Sequence, residues 1–251
     1  MKQLLASFVF FTRLPFWRIG DVPAECYKHV VDYWTLVGWL TGGIMALSYL
    51  GASFLLPLPC AVVVALLVRL LVTGALHEDG FADFVDGFGG GTSRQRILEI
   101  MKDSHIGTYG VIGLVMYYLL MVTLVNTMPL MLGVAALFAG DVWSKFCASH
   151  IVNFLPYARK AEEAKNKTVY VKIPVNRWIL SLIIGIIPLF LLPVPYVFAA
   201  IAPIVTTFCL IAVMKRKIQG YTGDCCGATF IIGELAFMLA LSVINHLVLW
   251  M

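Results

Sequence analysis

His77-Glu78-Asp79-Gly80-Phe81-Ala82-Asp83-Phe84-Val85-Asp86-Gly87-Phe88-Gly89-Gly90-Gly91 is the stretch on which the reading of this chain turns. Four carboxylates crowd between positions 78 and 86, in a protein where only 13% of residues are charged. They follow a long apolar run. Acids packed together at the edge of a membrane repel one another unless a cation holds them. The segment therefore predicts a divalent-metal site and chemistry on a phosphorylated compound.

The surroundings are those of a membrane protein. The chain is 61% hydrophobic over 251 residues, with a mean hydropathy of +0.90. A soluble domain is closer to half apolar and a quarter charged. Seven stretches approach the roughly 20 apolar residues that a span needs: 33–56, 60–76, 106–126, 129–151, 178–192, 196–214 and 229–250, the second and fifth being short. The expected fold is all-α: a polytopic membrane protein of about seven transmembrane helices with an amphipathic helix at the cytoplasmic surface, forming a single domain over 1–251. The apolar patch at 4–11 is followed by Arg13, Pro15 and Arg18 and reads as an interfacial helix instead of a cleaved leader. None of the six cysteines forms a CxxC pair or a zinc-spaced cluster.

With the N-terminus in the cytoplasm, every Lys and Arg except Arg69 and Lys145 falls in a cytoplasmic segment, and the opposite loops carry none. This is the positive-inside pattern of a prokaryotic inner membrane. The acids avoid the outer loops as well, so the candidate chemistry faces the cytoplasm. The lipid bilayer is the expected partner, and nothing points to a nucleic acid.

If 79–88 is helical, Asp79, Asp83 and Asp86 lie at about 0°, 40° and −20° around the axis, and Phe81, Phe84 and Phe88 at about 140–200°. One face then buries aromatics, and the other directs three carboxylates toward one point. Oxygen donors of this kind suit Mg²⁺, with phosphate oxygens completing the shell. Gly89–Gly91 ends the helix, and Thr92-Ser93-Arg94-Gln95 reads as a capping box with Thr92 as N-cap. The helix expected at 93–104 is amphipathic. Its polar face offers Asp103 to the metal and Arg96 or Lys102 to a phosphate. Asp103 also reads as an ordinary surface acid, and His105 as an acid/base group or an interfacial histidine.

A second constellation, Gly220-Tyr221-Thr222-Gly223-Asp224, stands before the last span. Thr222 and Asp224 read as metal or ribose ligands, or Asp224 as a helix N-cap. Glu234 inside that span needs a partner, for which Arg69, Lys145 or a cation would serve. Asp141 and Lys145, four apart, suit an intramembrane pair; the sharper reading of Lys145 is a phosphate contact.

Three pieces resemble one family. The block 74–83 with Asp86-Gly87 and 98–110 closely resembles the signature of the cobalamin synthases, the adenosylcobinamide-GDP ribazoletransferases. Phe11-Thr12-Arg13-Leu14-Pro15 looks like the family's N-terminal motif, and the stretch from Gly220 to Glu234 like its C-terminal one. The resemblance implies a Mg²⁺-dependent enzyme that joins adenosylcobinamide-GDP to α-ribazole, or to its 5′-phosphate, and releases GMP at the last stage of cobalamin assembly. It implies Asp79, Asp83 and Asp86 as metal ligands, with Asp103 or Asp224 joining them and a nearby carboxylate as base. It leaves open contacts with other enzymes of nucleotide-loop assembly and a homo-oligomer. Three positions depart from the family pattern: Glu78 where Leu is usual, Lys145 where Arg is usual, and Glu162-Glu163-Ala164-Lys165 where a glycine-containing loop is usual. A CDP-alcohol phosphotransferase is a runner-up, opposed by Leu76 and Ala82-Asp83 at places where those enzymes carry other residues. A transporter is a second alternative, opposed by acids gathered at one boundary and not at the midplane.

Overall fold

In a computed structural model, residues 1–159 and 169–249 are described, and they are almost wholly helical. The divergent loop at 162–165 lies outside the described residues. The helices are α1 (Lys2–Phe11), α2 (Trp34–Ser53), α3 (Leu58–Thr73), α4 (Leu76–Gly90), α5 (Arg94–Ile100) and α6 (Thr108–Asn126). They continue with α7 (Leu130–Ser149), α8 (Ile151–Phe154), α9 (Val175–Ile186), α10 (Val194–Val197), α11 (Ile201–Lys217) and α12 (Gly223–Leu249).

Five helical segments are long and apolar enough to cross a membrane, and six if α3 and α4 together count as one bent span. The expected count of about seven is not confirmed, because its two short members fall below that length. α3 has 16 residues, and the helical run Val175–Leu191 also falls short. At 1.5 Å per residue, 17 residues reach only about 26 Å of a roughly 30 Å hydrocarbon core. The Val175–Leu191 run tightens into a 3₁₀ turn at Pro188. Its two ends nevertheless reach opposite ends of the bundle. Ile173 donates its amide to Asn153 Oδ1 at the end of α8, whereas Tyr196 donates to Asn245 near the end of α12.

α7 is the axial helix: from Ala135 to Ser149 every residue but Phe138 is buried. α2 and α12 pack along it, α4 packs on α12 and α6, and α3 packs on α2. Leu71, Val115, Leu119, Phe190 and Phe208 point outward and are more than half exposed, as side chains facing lipid do.

The bend between α3 and α4 decides where the acids go. Gly74 and Ala75 are both left-handed, at φ 65° and 59°. Left-handed backbone stops a helix and is cheap for glycine. The chain thereby turns by 93°, and α4 leaves the bundle end at a steep angle instead of extending α3.

α5 starts one residue later than expected. Ser93, not Thr92, is the N-cap, accepting the Arg96 amide at 3.2 Å. The helix ends at Ile100, short of the anticipated 104. Ile97 and Met101 are buried, with Met101 packed on Gly87 of α4, so the apolar face of α5 covers α4.

Candidate active site

α4 and α12 meet at their N-terminal ends because glycines stand at the crossing. A β-carbon placed on Gly80 would lie 3.0 Å from the Asp224 α-carbon and 3.2 Å from its carbonyl oxygen. One on Gly227 would lie 3.2 Å from the His77 carbonyl. This close approach puts Asp79 and Asp224, far apart in sequence, on the wall of one cavity of about 150 Å³. The wall also includes Phe10 and Phe11 of α1, Val31, Trp34, Leu76, His77, Tyr157, Arg159 and Tyr170. Tyr157 and Arg159 are held there by the start of α12: the Ala158 amide donates to Tyr221 O at 2.8 Å, and the Tyr221 amide to Pro156 O at 2.9 Å. Burial raises the pKa of the Tyr157, Tyr170 and Tyr221 hydroxyls, so they act as neutral donors at ordinary pH.

The helix 79–88 forms as expected, but its three acids do not converge. Asp79 is exposed and Asp83 half-buried, and both line a second cavity of about 320 Å³ with Glu78, Ser104 and Tyr118. Asp86 is turned to α6, and its two oxygens accept the Gly107 amide at 2.7 Å and the Gly110 amide at 2.8 Å. It caps the first turn of α6, where a carboxylate also meets the positive end of the helix dipole. Asp103 likewise stands apart. It accepts the His105 amide at 3.0 Å and contacts the His105 ring at 2.7 Å, and these donors, the amide foremost, lower its pKa. Among the described residues no three His, Cys, Asp or Glu side chains stand close enough to hold a metal ion. The donor chemistry that fits Mg²⁺ is Asp79 with Asp83 on one side and Asp224 on the other; a Mg²⁺ site needs only one or two carboxylates when substrate phosphates supply the rest.

The expected cations divide in the same way. Lys102 lines a third, open cavity of about 720 Å³ with Arg94, Glu99, Tyr157 and Arg159. Arg94 is fixed by Ala158 O at 2.7 Å and Ile218 O at 2.9 Å, and Arg159 by Leu98 O at 2.9 Å. Arg96 is exposed and pairs with Glu99 at 3.5 Å, and His105 is exposed beside Asp103. Lys145 is a correction. It is fully buried, 2.5 Å from Asp141 and 3.0 Å from the Thr41 hydroxyl, with its ammonium 4.0 Å above the Phe230 ring. It lines none of the three cavities. Thr222 is buried too, and its hydroxyl faces the Cys225 amide and the Asp224 carboxylate, each at 3.4 Å. It serves the entry of α12, the cap role the sequence had offered to Asp224.

Sequence reasoning did not assign His77, Tyr157, Arg159 or Tyr170 to the site. The three tyrosine and arginine positions carry no motif of their own and are brought in by chain segments remote from α4. The partner of Glu234 is Arg69, whose Nη1 lies 2.7 and 2.6 Å from its two oxygens. Arg69 also reaches Tyr117 at 2.6 Å and Glu78 at 3.3 Å. The unusual Glu78 thus belongs to a buried charge network beneath the site.

The chain matches the family described as cobalamin-5-phosphate synthase over residues 3–242. It belongs to this family. Curated relatives named adenosylcobinamide-GDP ribazoletransferase agree along the whole length. The protein of Shewanella woodyi is 36% identical, with 96% of each chain covered. That of Leptospira interrogans is 33% identical, covering 96% of this chain and 95% of its own. That of Clostridium novyi is 36% identical, with 96% of each covered. No solved structure matches the chain. Its five or six helices of membrane-crossing length make this member of the family a multi-pass membrane protein.

Proposed function

We propose that this membrane-embedded member of the family transfers the adenosylcobinamide-phosphate group of adenosylcobinamide-GDP to α-ribazole or its 5′-phosphate. A ribose hydroxyl oxygen of the acceptor forms a bond to the phosphorus carrying the cobinamide. The bond from that phosphorus to the bridging oxygen breaks, and GMP leaves with the bridging oxygen. The hydroxyl proton passes to a carboxylate, for which Asp79 and Asp224 are the candidates. The observation that carries this reading is the shared cavity wall of Asp79 and Asp224, in a chain related end to end to enzymes of that name.

Arg94, Lys102 and Arg159 offer the donor's diphosphate a cationic wall, and Arg159 stands at the border of the two cavities, where donor and acceptor would meet. Mg²⁺, held by Asp79 with either Asp83 or Asp224, would supply charge neutralisation to the diphosphate. The arrangement of the basic segments favours a cytoplasmic face for this site and a cytoplasmic N-terminus.

The test is turnover of the detergent-purified chain with adenosylcobinamide-GDP, α-ribazole and Mg²⁺, read by chromatography and mass spectrometry. GMP and adenosylcobalamin should form in equal amounts and stop with EDTA. Folded protein that yields neither product, from α-ribazole or from its phosphate, would sink the reading.

A further inference from the structure

The cavity that holds Asp79 and Asp224 has two unlike halves. One carries these carboxylates and Arg159. The other is a flat aromatic wall: Phe11 stacks on Trp34 with ring centroids 4.9 Å apart and an 8° angle between planes, and Trp34 lies over His77 at 5.5 Å and 12°. Leu76 and Val31 also line the cavity. Two ring nitrogens in it, His77 Nε2 and Trp34 Nε1, are buried and have no hydrogen-bond partner among the described residues. Buried polar groups are rarely left in this state. His77 is only 2% exposed and Trp34 1%, so bulk water does not serve them.

We propose that this aromatic half receives the base of the acceptor, an N-ribosylated benzimidazole, and that the His77 imidazole donates to the base's free ring nitrogen. The proposal rests on the ribazole-transfer reading above. A flat bicyclic ring is what near-parallel aromatic side chains select. The edge of a dimethylated benzimidazole carries methyl groups and one acceptor nitrogen, matching Val31, Leu76 and one imidazole N–H. The ribose then falls beside Asp79 and Asp224, where a proton must leave the attacking hydroxyl, and faces Arg159, which also borders the donor's cavity. The donor's guanine is the rival occupant. It presents two acceptors and two donors on its edge, which this apolar half cannot all answer.

The experiment measures KM separately for α-ribazole and for adenosylcobinamide-GDP, using the full chain in detergent with Mg²⁺. The wild type is compared with His77→Phe and with Leu76→Trp, which adds bulk at a half-buried rim position and removes no core side chain. The acceptor set includes the indole riboside, in which carbon replaces the free ring nitrogen. Both variants should raise the acceptor KM tenfold or more and leave the donor KM within twofold. The wild type should prefer α-ribazole to the indole riboside by tenfold or more, and His77→Phe should erase that preference. A rise in donor KM would place guanine here and overturn the proposal, as would an unchanged acceptor KM in both variants. A wild type without turnover would sink the transfer reading itself. Equilibrium dialysis of α-ribazole against the wild type and Leu76→Trp would then still decide the pocket, with equal binding to both counting against it.

Discussion

Gly80 lies directly on the backbone of Asp224. A β-carbon there would sit 3.0 Å from the Asp224 α-carbon, a distance at which backbone must move. Asp79 and Asp224 face the same cavity because of this contact. Gly80→Ala is therefore expected to push α12 off α4, cost about 1–3 kcal/mol of stability, and lower turnover more than tenfold. Thermal unfolding and initial rates on the same detergent preparation check both parts. A variant with wild-type rate would mean that the Asp79–Asp224 approach has no part in the chemistry.

Asp86 and Asp83 should separate cleanly by mutation. Asp86→Ala deletes the acceptor of the Gly107 and Gly110 amides and should cost about 1–2 kcal/mol, as loss of a helix cap does. The Mg²⁺ concentration for half-maximal rate should stay unchanged in the surviving folded fraction. Asp83→Asn should keep the unfolding temperature and lose turnover. Full turnover of Asp83→Asn at saturating Mg²⁺ would remove Asp83 from the metal assignment.

Chelation should abolish the reaction reversibly. Added Mg²⁺ or Mn²⁺ should restore it, because the candidate donors are all carboxylate oxygens. Asp79→Asn should raise the Mg²⁺ requirement, since Asp79 is the acid common to both cavities. Rates measured against metal concentration read this directly, and an EDTA-insensitive wild type would contradict it.

Arg69→Ala should be among the most damaging single changes. It strands Glu234 and Glu78, both buried, and breaking a buried pair by removing one partner costs about 3–5 kcal/mol. The double change Arg69→Met with Glu234→Leu should recover much of that stability, because it removes both charges together. Unfolding of Arg69→Met, Glu234→Leu and the double of these two gives the coupling energy. Additive losses would show that the pair contributes nothing beyond its separate members.

Much of the architecture is legible in the residues. The apolar runs mark the helices, and the polar residues on one face and phenylalanines on the other mark α4. The intramembrane charges Asp141, Lys145, Arg69 and Glu234 are visible as groups in need of partners, and the Asp141–Lys145 pair follows from their spacing alone. The span count was less legible. Apolar length does not reveal that the Gly74–Ala75 turn bends α3 away from α4, or that Pro188 tightens the end of the α9 run.

By itself the sequence determined that the protein is helical and lies in a membrane, because composition and periodicity are local properties of the chain. Which acids share a site was decided only by the tertiary structure. Asp79, Asp83 and Asp86 occupy one helical stripe, but a stripe is a line: Asp86 lies seven residues, or about 10.5 Å, along the axis from Asp79. There it meets the amides of α6 instead. Asp224 takes a place beside Asp79 because glycines let two helix backbones touch, and a contact between segments so far apart in the chain leaves no periodic signal in either.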